Sequence, residues 1–293
     1  MTTTTRPACA GPRNPRGSVP RPIRVVRLRT QAASPNAVTI APDDDDALIL
    51  VAGASGGVGQ LVSQKLLARG FRVRALSRSK AKCDEVLPGA ECFEGDLTKA
   101  ETLASCMEGV SAVCCCAGTT AFPSLRWLGG NDPEANTVVG MANLIAAAQT
   151  GAQGLRRFVF VSSAGVKRYG SPPYSVMNAF GVLTSKEAAE DALVASGLPY
   201  TIVRPCRLTD APYTSYDLNT LIKGESGARK EVVITKDEVL DGETSRIATA
   251  EACVQSLMLE CTANAAFSIE SVLGEGPGED SKEWASRLTT AGM

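Results

Sequence analysis

The chain has 293 residues, 44% of them apolar, and a formal net charge of −1 at pH 7, enough for one large α/β domain with a real core and some added segments. It contains no histidine, which excludes Ser-His and Cys-His catalysis and argues against a zinc site. The near-zero charge carries no overall nucleic-acid signature, and no apolar run approaches the roughly 18 residues that a membrane helix needs.

The average charge hides an asymmetry. Residues 1–42 hold seven arginines (positions 6, 13, 16, 21, 24, 27 and 29) and no lysine or acid, so residues 43–293 carry −8 by themselves. An acid-free, Arg-rich and hydroxyl-rich start is a transit-peptide composition and is expected to lie outside the folded domain. It lacks the apolar segment of a secretory signal, and its prolines oppose a long amphipathic helix. A plastid stromal address is therefore expected ahead of a mitochondrial one. The other reading is a disordered basic tail that stays attached. Cleavage is expected near 27–33, and the four aspartates at 43–46 read as a solvated spacer before a single domain over 43–293. The ten cysteines do not form a disulfide pattern. Cys114, Cys115 and Cys116 fall in an apolar strand-like run, where neighbours face opposite ways, and the others show no C-x-x-C spacing. A reduced compartment fits.

In chain order, residues 48–52 (LILVA) form a short apolar run that reads as a strand covered on both faces. Gly53, Gly56 and Gly59 follow, then a helical pattern with Val58, Leu61, Val62 and Leu66 on one face and Gly70 as its stop. A second strand spans 71–76. Strand, glycine turn, helix and strand together give the glycines specific tasks. Gly53 permits a tight turn, Gly56 lets backbone approach a pyrophosphate, and Gly59 lets the helix pack closely. The amides of Gly57, Val58 and Gly59 at the helix start face the phosphates, and the helix dipole favours their charge. A glycine-rich turn without a ligand is the alternative.

The end of the second strand bears on the cofactor. An NAD site usually places Asp or Glu there. This chain has Ser77 and Arg78, then Lys80 and Lys82, with no acid before Asp84. A guanidinium can pair with a 2′-phosphate that a carboxylate would repel, so NADP(H) is expected ahead of NAD(H), with Ser55 able to add a hydroxyl. The basic residues are otherwise a solvated loop.

The Gly-x-x-Gly-x-x-Gly spacing resembles the short-chain dehydrogenase/reductase superfamily. Later residues, to about 271, are similar to its atypical branch, the NmrA-like or NAD(P)-binding type of plant and algal plastids. A third strand lies within 91–97. There the resemblance implies that Asp96 and Leu97 bracket the adenine; Asp96 as a cap for a helix over 99–107 is the plainer reading. A fourth strand over 110–116 leads to Ala117 and Gly118, which the resemblance places beside the nicotinamide ribose. A loop over 122–133 and a helix over 134–149 follow. A fifth strand over 158–161 ends at Ser162 and Ser163, candidates for the family's catalytic serine.

The family's Tyr-x-x-x-Lys motif is half present. Lys186, on a helix over 183–196, matches the lysine, which holds the ribose and lowers the tyrosine pKa. Four residues earlier stands Val182, which has no proton to give; Tyr169 and Tyr174 lie nearby, off the motif spacing. A sixth strand over 200–203 leads to Arg204 and Pro205, and the resemblance puts the backbone after Pro205 at the nicotinamide. From about 206 a substrate or cap segment begins, with Arg207, Tyr213 and Tyr216 as cleft candidates. A strand over 230–235, a helix over 247–259, a strand over 266–269 and a helix over 281–288 complete the chain.

The expected fold is a doubly wound, mainly parallel Rossmann-type sheet of about seven strands with a small C-terminal cap. Three functions are compatible. One is a plastid NADPH-dependent reductase acting on an unknown small molecule. The second is a non-catalytic NADP(H)-binding redox sensor or photosynthetic-complex assembly factor with an unknown protein partner. The third, an RNA-associated protein, fits the acidic domain least.

Overall fold

The computed structural model describes residues 1, 39–44, 47–209 and 230–293. Nearly all of the Arg-rich segment, together with Tyr213 and Tyr216, lies outside them.

Strand β1 (Leu48–Ala52) is buried along its whole length. Successive side chains of a strand alternate in direction. Ile49 and Val51 therefore enter one core with helices α1 (Gly57–Ala68) and α6 (Arg246–Met258), whereas Leu48, Leu50 and Ala52 enter the opposite core with α3 (Gly140–Gly151) and α5 (Val182–Ala195). This is why the run is apolar throughout rather than alternating. The cysteine run obeys the same rule: in β4 (Ala112–Cys115), Cys114 faces the first core and Cys115 the second.

The remaining strands are β2 (Arg72–Ser77), β3 (Glu91–Glu94), β5 (Arg157–Val161), β6 (Tyr200–Pro205), β8 (Glu231–Thr235) and β10 (Ala265–Val272). With β1 and β4 they form an eight-stranded sheet in the order β3-β2-β1-β4-β5-β6-β10-β8. All neighbours are parallel except β8, which runs antiparallel to β10 at the edge. Among the described residues the sheet has eight strands rather than about seven, because the short 230–235 segment joins as that edge. A separate two-stranded pair, β7 (Arg207–Leu208) with β9 (Glu243–Thr244), starts the C-terminal part. A four-residue helix, α4 (Tyr174–Met177), precedes α5, and helix α7 (Ser281–Thr290) buries Trp284 and Leu288.

Two expectations need correction. Residues 99–107 are not a helix but two 3-10 turns, Ala100–Thr102 and Ser105–Met107. The Thr102 hydroxyl bonds the carbonyls of Asp96 and Lys99 and accepts from the Asp96 amide, a local arrangement that competes with the helical ladder. The helix expected over 134–149 is present, its first part being a π-helical segment, Glu134–Val139, that continues into α3. The basic stretch after Arg78 is not a loop but helix α2 (Lys80–Val86), capped by the Ser79 hydroxyl and closed by a Lys80–Asp84 pair at 2.8 Å. Only Cys83 of α2 is buried, so the helix has no apolar periodicity to detect.

The spacer aspartates are not simply solvated: Asp44 accepts from Arg156 at 2.6 Å. Packing reaches back to Ile40, whose side chain is fully buried and whose amide bonds Leu257 O on α6 at 3.0 Å. Among the described residues no helix is long and apolar enough to cross a membrane.

The described cysteines are free thiols. Burial, followed by the adjacent Cys83 thiol, pushes Cys92 up to about 12. Burial pushes Cys115 up to about 12 and Cys106 up to about 11. Since the thiolate is the reactive form, iodoacetamide at about pH 8 is expected to leave these three unmodified in native protein and to label them after denaturation. Peptide mass mapping checks this, and native labelling of Cys115 would contradict the packing of β4.

Candidate functional site

Strand β1 lies between β2 and β4, with the chain progressing outward to β3 on one side and to β5 on the other. Such a switch point leaves a crevice beyond the carboxyl ends of the strands. A cleft of about 310 Å³ occupies it, lined by the glycine turn, the ends of β2 and β3 and the segment after β4.

The glycines build the floor. Gly53 has φ +77°, and a Cβ there would lie 2.9 Å from Ala117 backbone atoms. A Cβ on Gly59 would stand 2.3 Å from Gly53 O, so the start of α1 can close on the turn only with hydrogen at that position. A Cβ on Gly56 would meet only Gly53 O, at 3.2 Å, and Gly56 lines the cleft. Gly56 is also the N-cap of α1, with no side-chain cap and no acid in the first turn. The first amides of a helix lack intrahelical acceptors, so this helix start remains available to an anion. Gly57 lines the cleft, whereas Val58 and Gly59 are buried behind it.

At the end of β2, Ser77 Oγ and Ser55 Oγ are 2.8 Å apart. Arg78 and Lys82 line the cleft, and Arg78 hydrogen-bonds Asn131 across its mouth. Lys80 instead turns to Asp84. Glu94, opposite Ser77 in the β2–β3 register, faces the Lys80 amide at 3.5 Å and is not among the lining residues. Asp96 lines the cleft but caps no helix: its Oδ1 accepts from Thr98 N and Oγ1 at 3.0 and 2.9 Å, closing a turn. Leu97, Ala117 and Gly118 complete that wall, with Thr119, Asn131 and Asn136. Asn131 and Asn136 were not anticipated: Asn131 sits in a loop, and Asn136 on the π-helical segment, where one polar residue carries no periodic signal. Thr119 Oγ1 and Asn136 Oδ1 are buried there without a protein hydrogen-bond partner.

Lys186 is buried on α5. Its Nζ donates to Val161 O at 2.7 Å, lies 4.9 Å from the Phe160 ring centroid and would be 3.7 Å from a Cβ on Gly118. Burial lowers its pKa, opposed by Cys115 and Glu190. Ser162 Oγ is buried and unpartnered, whereas Ser163 Oγ donates to Ala164 O at 3.0 Å. Val182 opens α5 within a small core with Val166, Tyr174 and Leu183, against which Tyr169 packs. The Tyr174 hydroxyl donates to Asp241 at 2.8 Å and lies 3.0 Å from Leu240 O, and Arg168 sits 4.7 Å over its ring. Burial, then Asp241, raises its pKa. Tyr174 is thus bonded away from Lys186 and holds its proton.

One turn beyond Lys186, Glu190 takes Arg204 of β6 in a buried bidentate pair at 3.0 and 2.7 Å. Sequence reading passed over this pair because its members are 14 residues apart on different elements. Pro205 is buried in β6 opposite Ile269 and does not line the cleft. Arg207 is exposed on β7, 4.0 Å from Glu243.

An open glycine floor, an uncapped helix start, cationic groups at the mouth and two unpartnered polar atoms in the wall fit a dinucleotide. Residues 53–259 match a family model described as NAD(P)H-binding. The chain belongs to this NAD(P)H-binding family. The likeness to atypical short-chain dehydrogenase/reductases thereby holds beyond the glycine spacing. An uncharacterized chloroplastic protein of Arabidopsis thaliana is 32% identical over 271 residues, covering 86% of this chain and 78% of that one. Sanguinarine reductase of Eschscholzia californica is 31% identical over 285 residues, covering 83% and 96%. The photosystem II assembly factor Ycf39 of Trieres chinensis is 30% identical over 237 residues, covering 80% and 66%. The fold matches the solved oxidoreductase ylbE of Lactococcus lactis, with TM-score 0.63, 18% identity and coverage of 83% and 95%.

Proposed function

We propose that the chain is an NADP(H)-dependent reductase of the plastid stroma, with Arg78 and Lys82 receiving the 2′-phosphate. The observation that carries the cofactor choice is the presence of both cations at the cleft mouth, where Glu94 is turned away. Ser55 and Ser77 add hydroxyls beside them. The helix start of α1 takes the pyrophosphate, Asp96 and Leu97 flank the adenine, and Lys186 reaches the nicotinamide ribose past Gly118. When bound, NADPH supplies hydride. Ser162 Oγ, buried and without a partner, is free to donate a hydrogen bond to a substrate carbonyl. The proton comes from water or another group, since Val182 has none to give and Tyr174 is bonded elsewhere. The extent of similarity to sanguinarine reductase supports the reductase reading, and the chloroplastic relative supports the plastid.

A second reading is favoured by Val182 itself: an NADP(H)-binding sensor or assembly factor without turnover, as the likeness to Ycf39 also suggests. NADPH oxidation against quinones, aldehydes and enones separates the two. Turnover with any of these supports the reductase; tight NADPH binding with none supports the sensor.

Arg78→Ala is expected to weaken NADPH binding about tenfold, the worth of one charge-assisted hydrogen bond, and to leave NADH binding unchanged. Calorimetric titration checks this, and equal losses for both nucleotides would remove the 2′-phosphate contact.

A further inference from the structure

We propose that Phe122, Trp127 and Phe180 form a platform for the flat ring system of a polycyclic, largely apolar ligand at the edge of the cofactor cleft. The inference rests on the reductase reading of that cleft and names the chemical class of its substrate.

The Phe180 ring meets both Phe122 and Trp127 edge-to-face, each with centroids 6.0 Å apart. The indole is pinned: its Nε1 donates to Thr120 Oγ1 at 3.1 Å, and Thr120 Oγ1 donates to Phe122 O at 2.8 Å. The indole nitrogen of the cluster is thus satisfied by the protein. Phe122 is 48% exposed and Phe180 49%, beside Leu125 at 85% and Leu128 at 69%. Aromatic side chains are normally among the larger contributors of buried surface, so such a half-covered set marks a binding surface.

Its position ties it to the cleft. Phe122 and Trp127 lie on the loop that leaves the cleft wall at Thr119 and returns to it at Asn131. Phe180 ends the 3-10 turn Asn178–Phe180, directly before the helix that carries Lys186. Asn178 Oδ1 accepts from the amides of Leu183 and Thr184 at 2.9 and 3.1 Å, fixing that turn to α5. The cluster therefore bridges the two segments that meet where Lys186 approaches Gly118. A flat ring seated on it would extend toward that point, and a carbonyl at its inner edge would approach the unpartnered Ser162 hydroxyl. A protein partner fits less well. Rings that bury about 150–250 Å² each when fully covered, and are here already half-covered, fall well short of the roughly 800 Å² per partner of a stable protein interface.

The test uses the full chain saturated with NADP+, which donates no hydride, so binding is read apart from turnover. Equilibrium dialysis compares 9-fluorenone, a flat three-ring ketone, with camphor, a ketone of rounded shape. Fluorenone should bind, and camphor should bind at least about tenfold more weakly. Trp127→Ala and Phe180→Ala should each weaken fluorenone binding by about tenfold. Phe180→Tyr should retain it, and Val194→Ala, an exposed apolar position elsewhere on α5, should leave it unchanged. Unaltered NADP+ affinity shows that each variant is folded. Equal binding of the two ketones, or undiminished fluorenone binding in both alanine variants, would overturn the platform. So would variants that lose self-association in sedimentation while keeping fluorenone, since the face would then join two copies of the chain. Wild-type protein that binds fluorenone through these residues yet ignores NADP+ would sustain the platform and sink the reductase reading.

Discussion

Gly56→Ala is expected to fold normally and to lose most of its stabilisation by NADPH, whereas Gly59→Ala is expected to compromise the fold itself. The two positions differ in what a methyl would meet. At Gly59 it would stand 2.3 Å from Gly53 O and 2.9 Å from Gly53 C. Those atoms belong to the turn that seats β1 against Ala117, so relief requires α1 to move off the sheet. Overpacking of this kind costs about 1–3 kcal/mol, occasionally more. At Gly56 the only near atom is Gly53 O, at 3.2 Å, and the residue has φ −87° and ψ 167°, which alanine adopts freely. The added methyl would project into the cleft, where backbone must approach phosphate. Thermal unfolding with and without NADPH separates the outcomes. Gly56→Ala should keep its Tm and lose the NADPH-induced rise; Gly59→Ala should have a lower Tm in the absence of nucleotide. A normal NADPH response in Gly56→Ala would mean that the phosphates do not pass over this turn.

Arg204→Ala is expected to be the most destabilising single truncation outside the glycine turn, at about 3–5 kcal/mol, the usual consequence of leaving a buried charge without its partner. At about 2–4 °C per kcal/mol for a chain of this size, Tm should fall by about 6–20 °C. Both Glu190 oxygens bond Arg204, and Glu238 Oε1 stands 3.6 Å from the same guanidinium. The Arg204 side chain is 10% exposed and that of Glu190 3%. Truncating the arginine leaves two buried carboxylates together, so it should cost more than Glu190→Ala, which leaves Arg204 with Glu238. The pair also fixes α5 against β6 one turn beyond Lys186, so both variants should weaken NADPH binding in addition to lowering Tm. Unchanged Tm in Arg204→Ala, measured by calorimetry, would show that the pair contributes nothing to holding α5.

Much of the fold was legible because its central strands are covered on both faces. The apolar runs in β1, β4, β5 and β6 carry that signal directly; Gly53 and Gly59 identify the crevice because backbone clearance there admits nothing larger, and Gly56 because it leaves the cleft floor bare. What could not be read was set by contacts distant in sequence or by local competition. Thr102 diverts 99–107 into 3-10 turns through its own hydroxyl. Helix α2 follows from the Ser79 cap and the Lys80–Asp84 pair rather than from any buried face. Asn131 and Asn136 reach the cleft only because the loop after β4 folds back to meet Arg78. The Glu190–Arg204 pair joins a helix to a strand, and no periodicity in either predicts it. Tyr174 is the most instructive case. Its place in the sequence allowed a role near Lys186, but Asp241 and Leu240, more than 60 residues on, hold its hydroxyl elsewhere.

If this cleft receives NADP(H), with Arg78 and Lys82 at the 2′-phosphate, NADPH and NADH should stabilise the chain unequally. The most direct measurement is thermal unfolding of the full chain titrated in parallel with NADPH and NADH. At 100 times its dissociation constant a ligand stabilises by about 2.7 kcal/mol, which for this size corresponds to a Tm rise of about 5–10 °C. That rise is expected with NADPH, and with NADH only at much higher concentration. Stabilisation by NADH without NADPH, or by neither at millimolar levels, would contradict it.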